Sequence, residues 1–153
     1  MKKRFFILAA SLLMICFSFS MAAAHCQIPC GIYDDQMRTD QIAQDITTVE
    51  KAMKEISTLS RQKPVNYNQL VRWVTNKEEH ASNIMNGVSL YFMAQRVNPD
   101  QKQYTEKLTV LHKLLQSAMK SKQSVDLKHV GDMRSLLKEF KSLYFNDPSD
   151  QHK

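Results

Sequence analysis

Beyond Tyr33 the chain holds only two glycines, Gly87 and Gly131, and its apolar residues return every three or four positions. That spacing gathers them on one face of a helix, and no stretch sustains the two-residue alternation of a strand. Four stripes run along the sequence. Met37, Ile42, Ile46, Val49, Met53 and Ile56 form the first; Leu70, Trp73, Val74, Ala81, Ile84, Met85, Val88, Tyr91 and Phe92 form the second. Tyr104, Leu108, Leu111, Leu115 and Met119 form the third, and Val130, Met133, Leu137, Phe140 and Tyr144 the fourth. A helix with one apolar face must bury it against another element. Four such helices with short connections predict an all-α fold, an antiparallel four-helix bundle over about residues 34–146.

The breaks between stripes have local causes. Pro64 follows a polar run, and Asn66 is placed to cap the second helix. Asn98-Pro99-Asp100 reads as a cap, a first-turn proline and a favourable first-turn charge for the third. Ser124 or Asp126 can cap the fourth, and Pro148 with the polar tail marks its end. Gly131 falls inside that fourth helix and weakens it by up to ~1 kcal/mol relative to alanine. No internal repeat or second domain is visible, and the length suits one core.

The N-terminus has a different character. Lys2, Lys3 and Arg4 precede an almost wholly apolar run from Phe5 to Phe19, and Ala22 and Ala24 fit a small-x-small cleavage site. This is the layout of a signal peptide over residues 1–24, which predicts export to a periplasm or the exterior and no stable membrane anchor. Cleavage removes Cys16 and three cations. Lysine plus arginine falls from 21 to 18 against 15 acids, so the net charge falls from +6 to +3. That balance does not argue for nucleic acid and mildly favours an anionic substrate.

Cleavage after Ala24 exposes His25-Cys26-Gln27-Ile28-Pro29-Cys30. The segment then offers a free α-amine, an imidazole and two thiols. The amide of Cys26 lies between amine and first thiolate and closes two small chelate rings if it loses its proton. Nickel(II) and copper(II) favour square-planar sites of this kind, whereas zinc prefers a tetrahedron. Pro29 restricts the chain and Gly31 permits a sharp turn, so residues 25–33 should fold back as a hook on the bundle. Anionic thiolate and amidate donors also stabilise a higher oxidation state, so such a site should tune redox.

His25-Cys26-x-x-Pro29-Cys30-Gly31-x-Tyr33 resembles the nickel hook of nickel-containing superoxide dismutases. Asn76-Lys77-Glu78-Glu79-His80 and Ser89-Leu90-Tyr91-Phe92 look like that family's second helix. The resemblance implies a four-helix bundle assembled as a homohexamer, and one nickel per subunit. It implies disproportionation of superoxide to oxygen and hydrogen peroxide as nickel cycles between Ni(III) and Ni(II). The metal ligands it implies are His25 (amine and axial imidazole), Cys26 (amidate and thiolate) and Cys30 (thiolate). It sets Tyr33 beside the metal and aligns Tyr91 with a second pocket tyrosine. It also aligns Asp40 and His80 with a glutamate and an arginine that steady the axial imidazole. Gln27 stands where some members have aspartate.

Two other classes fit parts of the pattern. An exported nickel or copper carrier could use the same donors without turnover, but would need neither Tyr33 nor Tyr91. A Cys26–Cys30 disulfide suits an oxidising compartment, but leaves the Pro-Cys-Gly-x-Tyr sequence without a reason. The hook needs a free amine at His25, so signal peptidase is the expected maturation partner, with export and activation a single step.

Overall fold

The computed structural model describes residues 34–146; the leader, the hook at residues 25–33 and the tail from Asp147 lie outside that range. The described residues form α1 (Asp35–Leu59), α2 (Tyr67–Asn86), α3 (Tyr104–Gln123) and α4 (Lys128–Phe145). A π-helical segment, Gly87–Arg96, continues α2 without a break. No strand occurs among the described residues. The architecture is the all-α, four-helix bundle expected.

Contacts between helices run in opposite senses along the sequence, which makes the bundle antiparallel. Asp35, Asp45 and Lys51 ascend α1, while their partners Tyr91, His80 and Trp73 descend the π segment and α2. Likewise Asp40 and Glu50 on α1 meet Lys141 and Arg134 on α4. The bundle thus has a near end and a far end. The near end gathers the start of α1, the end of the π segment, the start of α3 and the end of α4.

The core joins Ile46, Val49 and Met53 of α1 to Ile84 and Phe92, Leu111 and Leu114, and Met133 and Phe140, all fully buried. Burying side chains of this size contributes roughly 1.5–3 kcal/mol each. Four aromatic rings thicken the core toward the near end. Phe92 lies 4.9 Å from Phe140 and 5.7 Å from Tyr144 between ring centroids, and Tyr91 packs edge-on against Phe92 at 5.1 Å.

Asp34 caps α1, its carboxylate accepting from Gln36 N–H at 2.8 Å. Asn66 caps α2 as expected, accepting from Gln69 N–H at 3.2 Å. At α4 the Asp126 carboxylate accepts from Lys128 N–H at 2.9 Å. Gly87 has a packing reason: a Cβ there would meet Ile42 of α1 at 3.3 Å, so its bare backbone lets α1 and α2 approach closely.

Two expectations need correction. Asn98-Pro99-Asp100 does not open α3, which begins at Tyr104 behind Gln103 in the left-handed region at φ 54°. The Gln101 side chain holds the intervening residues in a turn, accepting from Asn98 N–H at 2.8 Å and donating to the Arg96 carbonyl at 2.9 Å. The buried face of α3 is also rotated from the expected stripe. It runs through Lys107, Val110, Leu111, Leu114, Ser117, Ala118 and Ser121, while Leu108 and Leu115 flank it and Met119 is exposed. Of the expected stripe Leu111 is at the centre of this face; Val110, Leu114, small residues and a lysine make up the rest.

Candidate functional site

The hook residues His25, Cys26, Cys30 and Tyr33 precede Asp34 and lie outside the described residues. The described chain begins immediately after them, at the near end of the bundle. Asp34 is extended at φ −65°, ψ 129°, and Asp35 is the first residue of α1.

One carboxylate organises the near end. Asp35 Oδ2 accepts from the Tyr144 hydroxyl at 2.8 Å, and Asp35 Oδ1 accepts from the Tyr91 hydroxyl. Arg96 Nε lies 3.2 Å from Oδ1, an ion pair with both side chains less than one-fifth exposed. Arg96 also donates through Nη2 to the Tyr91 hydroxyl at 3.1 Å. Three elements thus meet on Asp35: α1, the π segment and α4.

The π winding makes this meeting possible. Tyr91 and Arg96 are five residues apart. In an α-helix, at about 100° per residue, five steps would set them about 140° apart around the axis. Winding with i to i+5 hydrogen bonds instead stacks them, as the Val97 N–H bond to the Phe92 carbonyl at 2.9 Å illustrates. The Arg96 guanidinium accordingly sits 5.0 Å from the Tyr91 ring centroid, with Arg38 of α1 at 5.2 Å. Lys107, fully buried in the first turn of α3, places its ammonium 5.8 Å from the Tyr144 ring.

These neighbours fix protonation. Burial first, then the hydrogen bond to the Asp35 carboxylate, push the Tyr91 phenol above its ordinary value against the pull of Arg96. Its proton therefore stays on the hydroxyl, directed at Asp35. Burial draws the Arg96 guanidinium down, but the Tyr91 hydrogen bond and the Asp35 charge outweigh it and hold the group above its usual value.

Beside the cluster a polar cleft of about 370 Å³ opens between α1 and the α2–π helix. Arg38, Gln41, Asp45, Asn83, Asn86 and Tyr91 are among its lining residues. Arg38 and Asp45 bring it one charge of each sign, beside side-chain amides that can hold ordered water.

Asp40 and His80 are not brought together. Asp40 is exposed and accepts from Lys141 Nζ and Gln36 Nε2, both at 2.9 Å. His80 instead meets Asp45, Nδ1 to Oδ1 at 2.6 Å. A carboxylate–histidine pair thus links α1 to α2, its acid among the residues that line the cleft. Among the other histidines, His112 is exposed and His129 half-buried, while His152 lies outside the described residues.

Sequence reasoning passed over Asp35, Arg96 and Tyr144 as site residues. Tyr144 carried only a core signal, and Arg96 lies off the face of Tyr91 in any α-helical reading. Asp35 had one signal, its place two residues after Tyr33.

No group of three or more His, Cys, Asp or Glu able to hold a metal occurs among the described residues. The cysteines all precede Asp34. The thiols of the chain, Cys16, Cys26 and Cys30, therefore lie outside the described residues. Two thiolates, Cys26 and Cys30, with the imidazole of His25 would give a mixed nitrogen–sulfur donor set, a chemistry that suits nickel.

Residues 20–147 match the sequence profile of the family described as nickel-containing superoxide dismutase. No curated protein and no solved structure gives a match.

Proposed function

We propose that this chain, which belongs to the family of nickel-containing superoxide dismutases, is an exported superoxide dismutase with its nickel held by His25, Cys26 and Cys30. The observation that carries this reading is the extent of the family match. From residue 20 to residue 147 it takes in the donor segment and all four helices as one unit.

In this reading signal peptidase cuts after Ala24, and the cut itself creates one of the ligands, the His25 amine. Cys26 and Cys30 bind as thiolates, so their protons leave on loading. Nickel bound by this set supplies a one-electron couple, through which two superoxide ions and two protons become oxygen and hydrogen peroxide. The protein's own residues supply the surroundings. Arg38 and Arg96 draw a small anion to the near end. Tyr91 keeps its hydroxyl proton fixed on Asp35, and Tyr33 completes the hook beside the metal. A homohexamer and the absence of a membrane anchor belong to the same reading; no described helix is long and apolar enough to cross a membrane.

The test is superoxide decay by the chain starting at His25, loaded with nickel, copper or zinc. Fast decay with nickel alone is the expected result. Tight nickel binding without decay would make the protein a carrier. A mature N-terminus at any residue other than His25 would overturn maturation by signal peptidase.

A further inference from the structure

We infer that Asp35 is a positioning residue for the metal-binding terminus: its carboxylate, gripped by Tyr91, Tyr144 and Arg96, fixes the point and direction from which the chain runs back to its nickel ligands. The inference rests on the dismutase reading above and adds a residue that neither motif nor family match assigns.

Capping α1 does not require this arrangement. Asp34 already satisfies Gln36 N–H at 2.8 Å. A first-turn acid gains from the helix dipole while exposed to water. Asp35 instead gives up most of its hydration, with its side chain 19 % exposed, and takes its partners from the π segment and α4. Moving a carboxylate out of water costs several kcal/mol unless donors replace the lost hydration. Two phenolic hydroxyls and a guanidinium do so here.

The position gives the grip its consequence. Asp35 stands five residues after Cys30 and two after Tyr33. A residue spans at most ~3.6 Å of chain, so the five steps from Cys30 cover at most about 18 Å, and where Asp35 is held bounds where the second thiolate can lie. The donors hold Asp35 from two sides, Tyr91 and Arg96 from the π segment and Tyr144 from α4. This fixes a direction as well as a point. A preorganised origin lowers the ordering cost of closing the hook around a metal, which appears as affinity.

The test compares Asp35→Asn with the parent, both starting at His25. Asparagine keeps the size but offers an amide N–H₂ where one hydroxyl or Arg96 needs an acceptor. Nickel affinity should fall about tenfold or more, and the paramagnetic resonance signal of oxidised nickel should broaden as the ligand geometry spreads. The helical circular dichroism of the metal-free protein should be unchanged. Tyr144→Phe, which keeps the ring and loses one donor, should move affinity the same way by about threefold, and it covers the case in which Asp35→Asn folds poorly. If both variants lower the melting temperature equally with and without nickel, while affinity and signal stay at parent values, Asp35 is merely structural and the inference fails. Failure of the parent itself to bind nickel would instead overturn the functional reading.

Discussion

Both ends of this bundle draw charge out of water, but they neutralise it differently. At the near end the half-buried Asp35 carboxylate, on the side of the bundle that also holds the fully buried Lys107, takes its donors from side chains: two tyrosines and an arginine. Toward the far end the charge is the Lys77 ammonium, 4 % exposed, and its principal acceptors are backbone carbonyls. Lys77 Nζ donates to the carbonyls of Ser121, at 2.9 Å, and of Lys122, and also pairs with Glu78 at 3.1 Å. Carbonyls at a helix C-terminus lack intrahelical partners and carry its negative dipole end. Lys77 therefore finishes α3, a structural task with no side-chain chemistry to spare. The Asp35 cluster leaves backbone capping to Asp34 and spends side chains on one another. Roughly 20 Å of helix separates Lys77 from Tyr91 in the Asp35 cluster.

The strongest way to break that contrast lies in the hook. Cys26→Ser or Cys30→Ser should abolish superoxide decay and nickel binding, because a hydroxyl is a poor substitute for a soft thiolate. Helical circular dichroism and melting temperature of the metal-free chain should not change. Full activity in either variant would remove the thiolate assignment, and the near end would lose its claim to function.

Lys77→Met probes the other end. Methionine fills the lysine's stem but leaves at least two α3 carbonyls without their donor, which should cost about 1–3 kcal/mol of stability. Chemical denaturation would measure it. Nickel affinity and turnover per folded molecule should match the parent. A fall in nickel affinity as large as that from Asp35→Asn would show that damage at either end reaches the metal, and the contrast would be lost.

The bundle was legible from spacing because each buried face repeats every three or four residues. Asn66 was legible as a cap because a short polar side chain beside a helix start has few other uses, whereas the fourth helix starts behind Leu127, with neither Ser124 nor Asp126 at its cap position. The start of α3 was misread. Asn98-Pro99-Asp100 has the chemistry of a helix start, but the Gln101 side chain turns it into a stitched loop. The π segment was invisible since Val88, Tyr91 and Phe92 are buried in it just as an α-helix would bury them. Only the Tyr91–Arg96 stacking distinguishes the two windings, and with it went most of the Asp35 cluster. The donor set His25, Cys26 and Cys30 is drawn from the concentration of thiols and a histidine in so few residues, and it lies outside the described residues. The Asp35 cluster gave no such signal, because a hydrogen-bonded phenol and a core phenol look alike until the acceptor is located.

Tyr91 sharpens the comparison through pH. Its phenol is held above the ordinary value near 10, chiefly by burial and then by Asp35. The fold therefore favours the protonated form. The stability this contributes is complete below the unfolded phenol value and is lost as pH rises through the folded one. Tyrosinate absorbance should include a phenol that titrates above the ordinary value, and Tyr91→Phe should remove that contribution. Glu50 gives the opposite sign. Hydrogen bonds from Lys54 and then Arg134 hold it below the usual carboxylate range, so its contribution is lost on acidification instead. Alkaline loss of the near end with the far end of α4 still docked would separate the two regions directly.

The smallest effect concerns Gly131, in the first turns of α4 near the far end. A Cβ built there meets nothing within 4 Å, so alanine would add no clash and gain no packing. The remaining effect is conformational. Alanine restricts the unfolded chain and favours the helix, so Gly131→Ala should raise stability by about 0.4–1 kcal/mol. Gly87, the first residue of the π segment, is the internal control: its Cβ would press on Ile42 at 3.3 Å, so the same substitution should gain less or destabilise. A destabilised Gly131→Ala chain would mean that this face is covered in the assembled protein. It would thereby place a subunit contact at the far end, away from the Asp35 cluster.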